Sequence, residues 1–346
     1  MEEGLYQRAY DKFIEILPSL SGMRFTSQDV WNLCGIQTKP EHAPFRQAMA
    51  TLLYNLSTVN KKKTLKQTGR YYRVINRDIQ PIRWMDADDE EYFELKFPTD
   101  HDYNTEFPFE HTVNISSGDI VVIGGVSNAG KSTVALNFLA ENIDLHPCVL
   151  MGSEYVELDG EPDPRFKRRL KNIDWVEWTN NGESKFDLLP VDKDYEDAIV
   201  PNKINIIDWI DLTDNFFAIQ QIIKDIKTGI GKGIAIIVLQ KNEEKALAVG
   251  GVFSKNLAQF YFTIDYMGTE SRLNVVKVKD KKGGHNIERR SWGFSIAGMG
   301  SRIQNIREVE KCRNCRGSGE IGKGQCMTCA GVGWVEIKYQ EEMPFS

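Results

Sequence analysis

The chain has 346 residues, 27% of them charged and 41% hydrophobic, and a formal net charge of −6. That length suits two or three units of the usual size, about 100–200 residues each. No apolar run approaches the roughly 18 residues of a membrane span, and Met1-Glu2-Glu3 lacks the basic and apolar regions of a secretory leader, so a cytoplasmic protein is expected.

The net charge averages over segments of opposite sign. Residues 1–83 hold 13 Lys and Arg against 7 Asp and Glu. Within them Leu5 to Leu17 carries apolar residues at helical spacing, Phe25 to Leu33 opens on a Thr/Ser cap signal, and Pro44 to Leu56 predicts a third amphipathic helix. Lys61, Lys62 and Lys63 follow. Then Thr64-Leu65-Lys66, a turn over Gln67 to Arg70, and Tyr71 to Ile75 predict a β-hairpin. Residues 84–110 hold ten acids with Lys96 as the sole base, a like-charge run that predicts a solvated linker over 84–111.

The next segment carries the first strong motif. An apolar strand, Ile120 to Gly124, feeds Gly125-Val126-Ser127-Asn128-Ala129-Gly130-Lys131-Ser132-Thr133, which has the spacing G-x-x-x-x-G-K-S. Glycines let backbone N–H groups converge on the α- and β-phosphates of a nucleotide, Lys131 reaches the β/γ oxygens, and Ser132 offers a hydroxyl to Mg²⁺. Thr133 to Asn142 reads as a helix whose N-terminus points its dipole at the phosphates. ATP with Mg²⁺ is therefore the expected ligand, held by Gly125, Asn128, Ala129, Gly130, Lys131, Ser132 and Thr133.

Open α/β sheets place their chemistry at the carboxyl ends of strands, and three further strands here end in suitable side chains. His146 to Met151 leads into Gly152-Ser153-Glu154, and Glu154 suits a base that orients an attacking water. Ile204 to Ile207 ends in Asp208, the pattern of a Walker B carboxylate that holds Mg²⁺ together with Ser132. Gly233 to Leu239 ends in Gln240, whose amide can sense the γ-phosphate. Between them, residues 156–200 are rich in charge and turns, and Arg165-Phe-Lys-Arg-Arg-Leu170 reads as a basic surface helix.

The second strong motif closes the chain. Cys312-Arg-Asn-Cys315-Arg-Gly317-Ser-Gly319 and Cys326-Met-Thr-Cys329-Ala-Gly331-Val-Gly333 are two copies of C-x-x-C-x-G-x-G. Four thiolates are the number a closed tetrahedral Zn²⁺ site needs, and the glycines permit turns that aim N–H groups at sulfur. Disulfides are the competing reading, disfavoured in a reducing compartment. Such a zinc is structural and folds a module too small for its own core. Cys34 and Cys148 lie in apolar contexts and read as core filler, and His42, His101, His111, His146 and His285 show no ligand spacing.

Three resemblances add expectations. Three helices followed by a hairpin resemble a winged helix-turn-helix, which implies DNA contacts from Arg46, Gln47, Lys61, Lys62, Lys63, Lys66, Arg70 and Arg73. Residues 112–300 resemble the RecA-like ATPases, and more closely the DnaB-type replicative helicases. That likeness is carried by Ser116 to Gly125 ahead of the phosphate loop, Ser153-Glu154, Ile206-Ile-Asp-Trp-Ile-Asp-Leu212 and Leu239-Gln-Lys-Asn242. It implies that Lys131, Glu154, Asp208 and Gln240 are catalytic, as general base, Mg²⁺ partner and sensor for the last three. It also implies that Lys241 to Gly251 forms a nucleic-acid-binding loop, with Lys241 and Lys245 as contacts and Gly250-Gly251 as its hinge. Lys279 and Lys281 then act in trans on the γ-phosphate of a neighbouring subunit. DnaB-type helicases commonly have arginine at Lys281, and a lysine pair is nearer the recombinase pattern. The cysteine repeat resembles half of the zinc region of DnaJ-type co-chaperones and implies one zinc.

The expected architecture is thus α/β: a winged helix over 1–83, the linker, a RecA-like P-loop NTPase core over 112–305, and a zinc hairpin over 306–346. The expected function is an ATP-hydrolysing motor on single- or double-stranded DNA. It is read as an oligomeric ring or filament of the DnaB helicase type in phage or plasmid-like replication, with replication or recombination proteins as partners. A RecA-like recombinase or strand-annealing ATPase is one alternative. A nucleotide-switched DNA-binding loader or adaptor is the other.

Overall fold

Residues 3–58, 64–75, 85, 92–157, 161–211 and 218–338 are described by the computed structural model. They fall in two units, 1–87 and 88–346. The first holds helices α1 (Glu3–Ile16), α2 (Ser27–Leu33) and α3 (Ala43–Thr58), with strands β1 (Phe25–Thr26), β2 (Leu65–Thr68) and β3 (Tyr71–Val74). Helix α2 starts at its cap signal because Thr26 Oγ1 accepts from the Asp29 N–H while the Asp29 carboxylate accepts from the Thr26 N–H. Phe13, Val30, Met49, Leu52, Leu53 and Leu65 form the unit's core. The hairpin turns at Gly69, whose φ of +60° suits glycine. Strand β1 was not foreseen in the sequence; it pairs with β3 to give the sheet order β1-β3-β2.

The second unit begins with strands β4 (Thr99–Asp100) and β5 (Thr105–Glu106) and helix α4 (Phe109–Thr112). Here the expected linker is corrected over residues 92–111; residues 84 and 86–91 lie outside the described residues. Phe93, Leu95 and Phe97 alternate with charged residues, and together with Phe107 and Phe109 they pack into the main core, so the charges mask a buried strap. Asp100 is itself buried, accepting the N–H groups of Asp102 and Tyr103 at 3.0 Å and that of Asn305 at 2.7 Å.

Strand β6 (Ile120–Gly125), helix α5 (Lys131–Asn142), β7 (Cys148–Met151), α6 (Pro164–Lys171), β8 (Thr179–Asn180), β9 (Glu183–Ser184) and β10 (Phe186–Leu189) follow. Next come β11 (Ile204–Ile210), α7 (Ile219–Gly229), β12 (Ile234–Gln240), α8 (Val252–Asn256), β13 (Phe260–Met267), β14 (Glu270–Val278), β15 (Ser291–Ala297) and β16 (Arg302–Lys311). The last strands are β17 (Glu320–Ile321), β18 (Gly324–Gln325) and β19 (Trp334–Glu336).

One sheet organises the unit, in the order β10-β7-β11-β12-β6-β13-β14-β15-β16-β19. Its first six strands are parallel and the rest antiparallel. The parallel strands are apolar on both faces because both are covered. Val121 and Ile123 join Val134 and Phe138 of α5 on one side, and Ile120 and Val122 join Ile219, Ile223 and Ile226 of α7 on the other. The parallel run carries the ends of β6, β7, β11 and β12 to one edge, where the sequence puts its chemistry. The expected boundary at 305/306 falls inside β16, and β19 pairs with that strand, so the cysteine module grows out of the sheet. Among the described residues no helix is long and apolar enough to cross a membrane.

Candidate nucleotide-binding site

The phosphate-binding loop runs from the end of β6 to the start of α5, and close contacts fix its glycines. A Cβ on Gly125 would stand 2.8 Å from Lys131 Cγ, and one on Gly130 only 2.3 Å from Ile296 Cδ1, at a φ of +97° that disfavours any side chain. Asn128 also takes a positive φ, 59°. Lys131 is buried, and its ammonium donates to Val126 O and to Gln240 Oε1, each at 2.9 Å. Gln240 reaches it because β12 pairs with β6 in a register that sets Gln240 beside Gly125. Burial pushes the Lys131 ammonium below its ordinary pKa, while Asp208 and Glu154 pull it the other way.

Asp208 is 2% exposed, and the structure adds a partner that the sequence did not announce. The Tyr155 hydroxyl donates to its Oδ2, whereas Oδ1 has no hydrogen-bond partner among the described residues. Burial raises the carboxyl's pKa, and the hydroxyls of Tyr155 and Ser132 work against that rise. Tyr155 is itself driven well above the ordinary phenol range by burial and by the Asp208 charge. An orphaned carboxylate oxygen beside the Ser132 hydroxyl is what an Mg²⁺ site of this type needs, so the residues fit the ion. Strand β7 passes close enough for this because Gly152 has no side chain: a Cβ there would lie 2.2 Å from Asp208 O. Glu154 is exposed in the short turn after β7, and its Oε1 accepts from Trp209 Nε1 at 3.3 Å. Tyr155 directly follows Glu154, and that adjacency was the available signal.

Other expected site residues lie elsewhere. Lys279 and Lys281 follow the end of β14, and Val278 is level with Phe260, which is level with Val121 near the start of β6. At about 3.3 Å per residue they stand a strand's length from their own phosphate loop and cannot serve it. Lys241 corrects the loop reading: it is 3% exposed, and its ammonium pairs with Asp265, which Arg272 also holds at 3.1 Å. A lysine spent on a buried ion pair is not presented to nucleic acid. Lys245 is exposed, in a loop closed by Val249 N–H on Gln240 O and Ala248 N–H on the Tyr261 hydroxyl. Gly250 and Gly251 both take positive φ.

In the first unit Gln47, Lys66, Arg70 and Arg73 are exposed. Arg46 is turned back onto its own chain, donating to the carbonyls of Gln37 and Lys39, which corrects its reading as a freely projecting contact. Lys61, Lys62 and Lys63 lie outside the described residues.

The four C-terminal cysteines do converge. All are buried, with sulfurs within 4.8 Å of one another. Cys312 and Cys326 sulfurs are 3.8 Å apart and those of Cys315 and Cys329 3.6 Å, far beyond the roughly 2.05 Å of a disulfide. Sulfurs about 2.3 Å from a tetrahedral zinc would stand about 3.8 Å apart, so the set fits the ion. The N–H groups of Gly319 and Gly333 point at Cys315 and Cys329 sulfur, at 3.3 and 3.2 Å. Burial raises the Cys315 thiol, but the Gly319 and Gly317 N–H groups and the neighbouring thiols outweigh it and bring the pKa to about 6. Cys34 and Cys148 are buried as expected, and burial pushes Cys148 up to about 12.

No family model matches this sequence, and no curated protein matches it. Among solved structures, similarity is found to the KaiC-like protein PH0186 from the hyperthermophilic archaeon Pyrococcus horikoshii OT3. It has a TM-score of 0.43 and 16% identity, over 62% of this chain and 100% of that one. The side-chain geometry, rather than kinship, marks the site.

Proposed function

We propose that this protein is a RecA-like ATP hydrolase that works as an oligomeric DNA motor of the DnaB helicase type. The observation that carries the ATPase reading is the meeting of Lys131, Gln240, Ser132 and a buried Asp208 with an unpartnered oxygen at one edge of the sheet. Ser132 and Asp208 would hold Mg²⁺, which would supply charge neutralisation at the phosphates; Lys131 would neutralise charge on the β/γ-phosphates and Glu154 would orient the attacking water. Lys131 then has phosphate oxygens in place of Gln240, and the released Gln240 amide reports the nucleotide state to the loop that follows it.

The motor reading draws on Lys279 and Lys281, which stand too far from their own phosphate loop and suit a neighbour's. It also draws on the exposed Lys66, Arg70 and Arg73 of a basic, winged-helix-like first unit. The four cysteines hold one structural Zn²⁺.

The test is phosphate release by the purified full chain, with and without single-stranded DNA, across a dilution series. A specific activity that DNA stimulates and that falls on dilution, and that Lys131→Ala abolishes, is the expected result. Constant specific activity down to a demonstrably monomeric solution removes the trans role of the lysines. The lysine pair also favours a second reading, a recombinase. Images with ATP and single-stranded DNA separate the two, rings supporting the helicase and filaments the recombinase, and neither form would leave the adaptor.

A further inference from the structure

The basic run Arg165 to Leu170 splits in the folded chain. Arg165, Lys167 and Arg168 are exposed on α6, and Arg165 is paired with Asp163 at 2.8 Å. Arg169 turns inward. Its Nη2 donates to Gly300 O at 2.8 Å, the same carbonyl that accepts the Thr133 hydroxyl at 2.8 Å. Thr133 is two residues past Lys131, so a guanidinium stands one shared carbonyl away from the first turn of α5. Its Nε is buried and has no hydrogen-bond partner among the described residues. Its charge also reaches the buried Asp208 and Tyr155. A buried guanidinium N–H without an acceptor is unfavourable, and the fork geometry of arginine matches phosphate oxygens.

We propose that Arg169 is a phosphate-contacting residue of this chain's own nucleotide site, its Nε–H donating to a phosphate oxygen bound at the start of α5. The inference rests on the reading of Gly125 to Thr133 as a nucleotide triphosphate site. Its consequence is that each subunit supplies a planar cation in cis, beside the point charge of Lys131, whatever a neighbour's lysines contribute.

The experiment compares MgATP affinity and melting temperature of the full chain with those of Arg169→Gln. Glutamine can still donate to Gly300 O but brings no charge, so a merely structural role is preserved. A loss of affinity of about tenfold or more at unchanged melting temperature is expected, the worth of one hydrogen bond to a charged group. Wild-type affinity in the variant overturns the proposal. If the variant does not fold, phenylglyoxal labelling of Arg169 in the wild-type chain answers the same question. Protection by MgATP and not by adenosine supports the contact, and equal labelling overturns it. A wild-type chain that binds no nucleotide defeats both this proposal and the ATPase reading, whereas wild-type binding with an unaffected variant defeats this proposal alone.

Discussion

The phosphate loop and the cysteine knuckles both use glycine to bring chain close to chain, with opposite results. Around the loop, Gly125, Gly130 and Gly152 clear room for Lys131, Ile296 and the Asp208 carbonyl, and two buried polar atoms, Asp208 Oδ1 and Arg169 Nε, remain without partners among the described residues. In the knuckles each copy clears room for the other: a Cβ on Gly319 would lie 2.1 Å from Gly331 O, and one on Gly333 2.4 Å from Gly317 O. The Gly319 and Gly333 carbonyls accept the N–H groups of Cys326 and Cys312, while their own N–H groups donate to the Cys315 and Cys329 sulfurs. Unmet hydrogen bonds suit a ligand that would come and go, and closed knuckles suit an ion that would stay.

The largest effect expected from breaking this contrast is at the proposed zinc of the cysteine knuckles. Structural zinc contributes apparent binding energies of about 10–16 kcal/mol in small modules. A strong chelator should therefore abolish amide-exchange protection from Cys312 to Gly333 while leaving β6 and α5 protected, with one zinc released per chain. Retained protection in the metal-free knuckles would remove the ion from the account.

Next is Gly152→Ala, whose Cβ would collide with the Asp208 backbone, an atom that cannot swing aside. Destabilisation of about 1–3 kcal/mol is expected in denaturant titration, as for other overpacked sites. A variant of wild-type stability would mean that the ends of β7 and β11 are not so tightly apposed.

A smaller and more specific effect belongs to Tyr155→Phe. Burial already holds the Asp208 carboxyl above its ordinary pKa, and the Tyr155 hydroxyl opposes that rise. Removing the hydroxyl moves the pKa further up. Asp208 must be ionised to hold Mg²⁺, so the acid limb of the ATPase pH profile should shift to higher pH. An unmoved acid limb would detach Tyr155 from the metal site.

Much of the site was legible because its residues stand in one short motif or at the tips of apolar strands, and both patterns survive in a linear reading. Lys131, Glu154, Asp208, Gln240 and the four cysteines were singled out that way, and the structure sets Lys131 against Gln240 and gathers the cysteines. Tyr155 and the proposed Arg169 were not, since the contacts that single them out, with Asp208 and with Gly300, join elements distant in the chain. Lys241 misled for the same reason: its partner, Asp265, is 24 residues away on β13. The 84–111 segment misled differently. Its ten acids dominated the count, while Phe93, Leu95, Phe97, Phe107 and Phe109 decided where residues 92–111 lie.

The claim that this edge of the sheet hydrolyses ATP is tested most directly by Glu154→Gln, with binding and turnover measured on the same preparation. Glu154 is exposed and makes one hydrogen bond among the described residues, to Trp209, so the fold should not depend on it. MgATP affinity within a factor of about two of wild type, with phosphate release lower by about 10²–10⁴-fold, is the expected result for loss of a general base. Near-normal turnover in that variant would contradict the account.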